Sequence, residues 1–301
     1  MLDPKLLNFL FIKTGDELDF VCMKDILEIW EGEKKRKKDI NEAIGSTFDV
    51  GFDQLPGYKP NSLTGHYIGL RKRTARERLD QTKIVISVGT TFEAEKHQEL
   101  LKYCEVDLAE DLIDVRRIIT GCFGNLAIAI LEPSTRGPIP QYAAMREILK
   151  RCHKADHFYK SGGMAGTFDM GDIIVAGEGE DGVVVEDLVL GKKWMPLPGF
   201  PGPQLRQVAF EVDQSVIQKT ISTGAELTKK VSTNPYEIEA SGFLTALERH
   251  GAINENSQFG IVGVISDNSG TTSLKKKSPV ECFEDLIKFW KYFLENLEEK
   301  N

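Results

Sequence analysis

Nowhere does the chain carry an uninterrupted apolar run near the roughly 18 residues that a membrane-spanning helix needs, which argues against an integral membrane protein. The opening stretch MLDPKLLNFLFIKTGDELDF has acidic residues on both sides of a short apolar run. It lacks a basic start and a small-residue cleavage site, so no secretory signal is expected. Cysteine is scarce: Cys22, Cys104, Cys122, Cys152 and Cys282 are widely spaced, odd in number and form no CxxC pair. That excludes a disulfide framework or a structural zinc site and fits reduced thiols in a cytoplasm. Positive charge is also in deficit, 38 Lys and Arg against 46 Asp and Glu, a net charge of −8. Nucleic acid and anionic membranes need a positive field, so neither is an expected partner. No GxxxxGK[ST] phosphate loop and no GxSxG nucleophile turn occurs, which sets aside P-loop kinases and α/β-hydrolases. Cys152-His153 and His157 set two imidazoles four apart without carboxylates at ligand spacing, so they read as polar residues at a helix end and no metal is expected.

What is present is ordinary globular composition, 41% hydrophobic and 28% charged over 301 residues. Residues 1–80 lean helical, with Met23, Ile26, Leu27 and Trp30 at helical spacing, then a charged block, a Gly/Pro-rich loop and a basic run from Arg71 to Arg78 that reads as a solvated face or linker. Residues 81–301 alternate. Strands are predicted at 83–88, 126–131, 172–176, 183–190, 207–212 and 259–266, and helices at about 93–104, 141–152, 239–250 and 279–298. Apolar strands without polar alternation, separated by helices, predict an α/β fold whose sheet is buried on both faces. The last helix is the clearest element. Val280, Phe283, Leu286, Ile287, Trp290, Phe293, Leu294 and Leu297 form its stripe, and Ser278-Pro279-Val280-Glu281 is a capping box with Pro in the first turn.

Two segments carry the chemistry. Ser161-Gly162-Gly163-Met164-Ala165-Gly166-Thr167, running on to Gly171-Asp172-Ile173-Ile174-Val175, is read as a small-residue turn where a ligand can approach the backbone. Tyr236-Glu237-Ile238-Glu239-Ala240 puts acids at a helix start, and Val264-Ile265-Ser266-Asp267 puts an acid at a strand's C-terminal tip, both facing the crevice where α/β sheets bind ligands. In this order, over residues 83–301, these motifs resemble the nucleoside phosphorylase/nucleosidase superfamily, most of all its 5′-methylthioadenosine/S-adenosylhomocysteine nucleosidase branch. The resemblance implies a mixed, twisted sheet flanked by helices, preceded here by an extra N-terminal helical region, and a homo-oligomer.

The resemblance also implies roles. Asp267 matches the acid that protonates purine N7 as the base leaves, which calls for a partly buried carboxyl with a raised pKa. Glu239 matches the carboxylate that accepts from the ribose hydroxyls, and Ile238 the apolar floor beneath the sugar. Glu237 and Ser266 flank them, and Gly163, Met164, Ala165 and Gly166 form the turn against the substrate. The plain alternatives are a capping Asp267 and a Glu239 on a helix dipole. For the base that activates water, a gapless match lands on Ala94 and a one-residue shift on Glu93; Glu93 is preferred, Glu95 second, beside the reading of a solvated helix face. Lys160 and Arg136 are the phosphate candidates should phosphate be the nucleophile. The chain from Pro201 to Gln207 is shorter than the family pattern, and Gln214, Ser215 and Val216 stand where that pattern has a purine-stacking Phe, so Phe200 or Phe210 is expected to substitute. Hydrolysis of a purine nucleoside or nucleotide, without cofactor or metal, is the expected activity. Phosphorolysis and a non-catalytic nucleoside-binding module are the alternatives.

Overall fold

A computed structural model describes residues 78–109, 112–179, 181–200, 202, 205, 207–208, 216–224, 234–254, 256–268 and 277–298. The predicted N-terminal helix, the basic run up to residue 77, Phe210, Gln214 and Ser215 lie outside these. Among the described residues, eight strands form one mixed sheet in the order β2-β3-β4-β1-β5-β11-β6-β9. They are β1 (Ile84–Ser87), β2 (Lys102–Asp107), β3 (Val115–Phe123), β4 (Leu126–Pro133), β5 (His157–Gly166), β6 (Ile173–Ala176), β9 (Val216–Lys219) and β11 (Gln258–Asn268). β7 (Val185–Asp187), β8 (Lys193–Trp194) and β10 (Ile221–Thr223) make a small second sheet. The central four strands β4, β1, β5 and β11 run parallel, while β2, β3 and β6 are set antiparallel to their inner neighbours.

The centre is buried as the apolar runs require. Ile84, Val85 and Ile86 of β1, and Ile174, Val175 and Ala176 of β6, are fully enclosed. One core lies between the sheet and helices α2 (Pro138–Leu149) and α3 (Ala240–Arg249); Leu79, ahead of β1, belongs to it. The other lies beneath α1 (Thr91–Gln98) and α4 (Pro279–Glu298). α4 runs over the predicted residues, its Ser278 amide and hydroxyl both donating to Glu281.

Several boundaries differ from the expectation. The stretch read as a turn, 161–166, is the second half of β5, hydrogen-bonded along β11; glycine there serves close packing between strands. The first helix stops at Gln98, and residues 102–107 leave it to form an edge strand through an irregularity in which Tyr103 takes φ 54°. Gln207 and Val208, the described part of the strand assigned to 207–212, are helical, and the described strand that pairs with β6 is β9. Strand 183–190 shrinks to β7, since residues 188–190 turn around the Asp187 carboxylate, which accepts from the Val189 and Leu190 amides. His157 opens β5 rather than ending a helix, its Nδ1 3.1 Å from the Tyr159 hydroxyl.

Candidate active site

The C-terminal ends of β1, β4, β5 and β11 converge on a cleft of about 390 Å³. Its wall includes Glu93, Arg136, Met164, Ile238, Glu239 and Asp267, with Gly163, Ala165 and Ser266 between them.

Glu93 is fixed by the turn that starts α1. Thr90 is the N-cap, extended at φ −143°, and its hydroxyl accepts from the Glu93 amide at 3.2 Å. Three residues on, Glu93 folds back: Oε2 accepts from the Gly89 amide at 2.6 Å and Oε1 from the Gly163 amide of β5 at 2.9 Å. This is the spacing of a capping box, Thr90-Thr91-Phe92-Glu93. It is the local signal that selects Glu93 over its neighbours. Ala94 faces the core, and Glu95 points outward, 3.8 Å from Arg117. Burial raises the Glu93 pKa, while the Lys160 charge and the two amides pull it back.

Behind Glu93 runs a chain of hydrogen bonds. His97 Nδ1 lies 2.7 Å from the Glu93 carbonyl and Nε2 lies 2.8 Å from Ser161 Oγ. Trp290 Nε1 of α4 donates to the same Ser161 oxygen at 2.8 Å. A carbonyl only accepts, so Nδ1 carries the proton; Nε2 then accepts from Ser161, which accepts from Trp290. Full burial depresses the His97 pKa to about 4 and keeps the ring neutral.

Opposite stands the acid pair at the start of α3. Glu239 occupies the N-cap position, and its Oε1 accepts from the Gly137 amide at 3.2 Å. A methyl group on Gly89 would sit 3.1 Å from Glu93 Oε2 and 3.3 Å from Glu239 Oε2. Both carboxyls therefore close over that glycine, which has no Cβ to keep them apart. Glu237 lies behind, out of the cleft, its Oε1 3.0 Å from Lys160 Nζ; the same ammonium is 3.7 Å from Glu239 Oε2. Burial lifts Glu237 well above the usual carboxyl range. Glu239 moves the other way: burial acts upward but is outweighed by its bond with Glu237, Lys160, the Gly137 amide and Arg136.

Asp267 and Ser266 reach the same cleft although they are consecutive. The β5–β11 register slips between Ile265 and Asp267, so two neighbours line one side where a regular strand would send them to opposite faces. Asp267 is exposed, not partly buried as its expected role called for. Ile238 and Met164 supply apolar wall. Gly166 packs against Phe168 and Ile265 outside the cleft.

Lys160 is not the phosphate contact the sequence suggested, being 1% exposed and locked to two glutamates. Arg136 lines the cleft, in a loop held where the Ser134 amide and hydroxyl donate to Asp114. Phe200 packs on Phe259 in the core and is not the aromatic of the site. Phe92, Tyr236 and Phe283 are, with Phe92 and Phe283 in edge contact at 5.2 Å. Phe283 belongs to the apolar stripe of α4, so periodicity alone marked it as core. Among the described residues no group of three or more His, Cys, Asp or Glu is placed to hold a metal, and no helix is long and apolar enough to cross a membrane.

No protein-family model and no curated protein matches the chain in sequence. Solved structures do match in fold. Purine nucleoside phosphorylase from Toxoplasma gondii, in complex with immucillin-H, aligns with TM-score 0.56 at 15% identity, over 74% of this chain and 94% of that one. Futalosine hydrolase of Helicobacter pylori aligns at 0.52 and 15%, over 73% and 98%. The 5′-methylthioadenosine/S-adenosylhomocysteine nucleosidase of Campylobacter jejuni aligns at 0.50 and 16%, over 73% and 100%. The mixed sheet expected from the motifs is thus the one found: the chain has the fold of the nucleoside phosphorylases and nucleosidases.

Proposed function

We propose that this chain hydrolyses the N-glycosidic bond of a purine nucleoside or nucleotide, releasing the free base. The observation that carries the reading is the convergence of Glu93 and Glu239 over Gly89, with Asp267 on the same cleft. Cleavage of this bond leaves positive charge on the sugar and negative charge on the base. Glu239, held ionised, accepts from the ribose hydroxyls and favours the cationic sugar. Glu93, its proton affinity raised by burial, takes a proton from the water that attacks C1′. Asp267 is assigned the proton delivered to the base, and Phe92, Tyr236 and Phe283 provide apolar surface for a purine or its 5′ substituent. Solved structures of this fold include proteins named as nucleosidases and as phosphorylases, which supports nucleoside cleavage as the class of reaction. On this reading residues 81–301 form the catalytic unit of a cytoplasmic homo-oligomer, preceded by the N-terminal region 1–80.

Arg136 supports a second reading, phosphorolysis, because it puts a guanidinium on the cleft wall where an anion could be held. The test is chromatography of a panel of purine nucleosides and nucleotides incubated with the protein, with and without phosphate. Free base and free sugar are expected at a rate indifferent to phosphate, and Glu93→Gln should slow turnover by about 10²–10⁴-fold. Ribose 1-phosphate as product, or a rate rising with phosphate, would move the assignment to phosphorolysis and to Arg136.

A further inference from the structure

Three carboxyl groups, Glu93, Glu237 and Glu239, share one buried cation. Lys160 sits on β5 one residue before Ser161, is 1% exposed, and donates also to the Ser161 carbonyl at 3.3 Å. It does not itself line the cleft. An isolated buried ammonium is costly, so such a lysine survives only where it is paired. Here it stands behind the acid that faces the cleft. We propose that Lys160 is a positioning residue: its buried ammonium is the counter-charge that lets Glu239 present a full carboxylate to the sugar hydroxyls. This rests on the reading of Glu239 as the sugar-binding group.

The charges sort as follows. Glu237 Oε2 is buried and meets no donor. A proton on that oxygen, shared with Glu239, satisfies it and leaves Glu239 as the ionised member of the pair. Burial pulls the Lys160 pKa down, but Glu237, Glu239 and Glu93 outweigh it and hold the ammonium charged. The other groups facing this cluster are His97 of α1, which is neutral, and Arg136 from the loop before α2, which adds a weaker pull on Glu239. With the ammonium gone, Glu239 must share one buried volume with Glu93 and Glu237 without a cation inside it. The cheapest relief is a second proton, on Glu239. A protonated Glu239 loses one of its acceptor lone pairs and its charge.

The variants are Lys160→Met, which keeps length and loses charge, and Lys160→Met with Glu237→Gln, which also removes one buried acid and puts a fixed amide donor against Glu239. In Lys160→Met, KM for a riboside should rise about 10–100-fold, more than for its 2′-deoxy counterpart, and the acid limb of kcat/KM should move up by about 1–3 pH units. The double variant should recover part of both shifts. A packing role for Lys160 predicts no such recovery and an unmoved acid limb, and either result overturns the proposal. Infrared spectroscopy of the wild-type chain gives a measurement free of both turnover and the Lys160 variants. Glu239→Gln should remove an ionised carboxylate band at neutral pH, whereas loss of a protonated carboxyl band would sink the idea. A wild-type chain that cleaves no nucleoside refutes the proposed function, while the infrared result still decides whether Glu239 is the ionised acid that the Lys160 proposal requires.

Discussion

Burial acts on the site's ionisable side chains in opposite directions, and stability should follow pH accordingly. Glu93 and Glu237 have raised pKa values in the fold, so their contribution is full below the ordinary carboxyl value near 4.5 and is lost as pH climbs through the folded value. His97 is the reverse case. Its pKa falls from 6.5 to about 4, so between those pH values the unfolded chain binds a proton that the native ring refuses. Stability from this residue is present above pH 6.5 and drains away on acidification, by roughly 3 kcal/mol if the shift is taken whole. We expect His97→Gln to lower Tm at neutral pH, because Ser161 and the Glu93 carbonyl lose a fitted partner. It should also flatten the fall of Tm between pH 6.5 and 4. Parallel Tm curves for the two proteins would show that another group drives acid unfolding. Glu93 itself was legible only as one of two candidates. The capping-box spacing and a glycine before it explain why Glu93 rather than Glu95 reaches the cleft, because together they fold one particular carboxylate back onto the strand end.

At the scale of elements, the approach of α2 and α3 determines where Glu239 stands. A Cβ on Gly242, in the first turn of α3, would lie 1.8 Å from the Pro138 carbonyl oxygen at the start of α2. The neighbouring Gly137 amide is the one that donates to Glu239. Gly242→Ala therefore has to drive the helices apart. The roughly 1 kcal/mol of helix propensity that alanine gains is smaller than this backbone clash demands. A drop in Tm of several degrees is expected, together with a rise in KM for ribosides as the Gly137 contact lengthens; unchanged Tm and KM would mean that the two helix starts slide without cost. The legible elements were those whose signal is local. α4 declares itself by a capping box, a first-turn proline and eight apolar residues in phase, and β1 by an apolar run. β2 was missed because only Cys104 and Val106 of this edge strand pack on the core, an alternation too short to read past the irregularity at Tyr103, and β9 because a short, half-exposed strand is chosen by its pairing with β6. The glycines of β5 misled for a related reason. Small residues permit a turn and equally permit strands to pack tightly, and only the partner strand distinguishes the two.

Across the whole molecule, distant pieces of chain meet at one cleft: residue 89 follows β1, 136 follows β4, 163 lies in β5, 239 starts α3 and 267 ends β11. No single segment holds a complete site, so its assembly waits on the entire parallel centre of the sheet. α4 closes that arrangement from the C-terminal side, placing Phe283 at the wall and Trp290 deeper, wholly enclosed among Tyr159, Phe289 and Phe293. The contact between Trp290 and Ser161 has an optical consequence. The indole is wired through Ser161 and His97 to the carbonyl of Glu93, so a ligand that tugs on that residue alters the field around a chromophore it never touches. Trp194, shielded in the smaller sheet beneath the Lys192 ammonium, offers a reference emitter without that wiring. Filling the cleft should shift or dim the blue-edge fluorescence, and Trp290→Phe should silence the response while leaving the Trp194 signal in place. A response that survives in Trp290→Phe would mean that the light comes from elsewhere. If the response vanishes, the protein holds its own gauge of occupancy, readable without label, coupled enzyme or turnover.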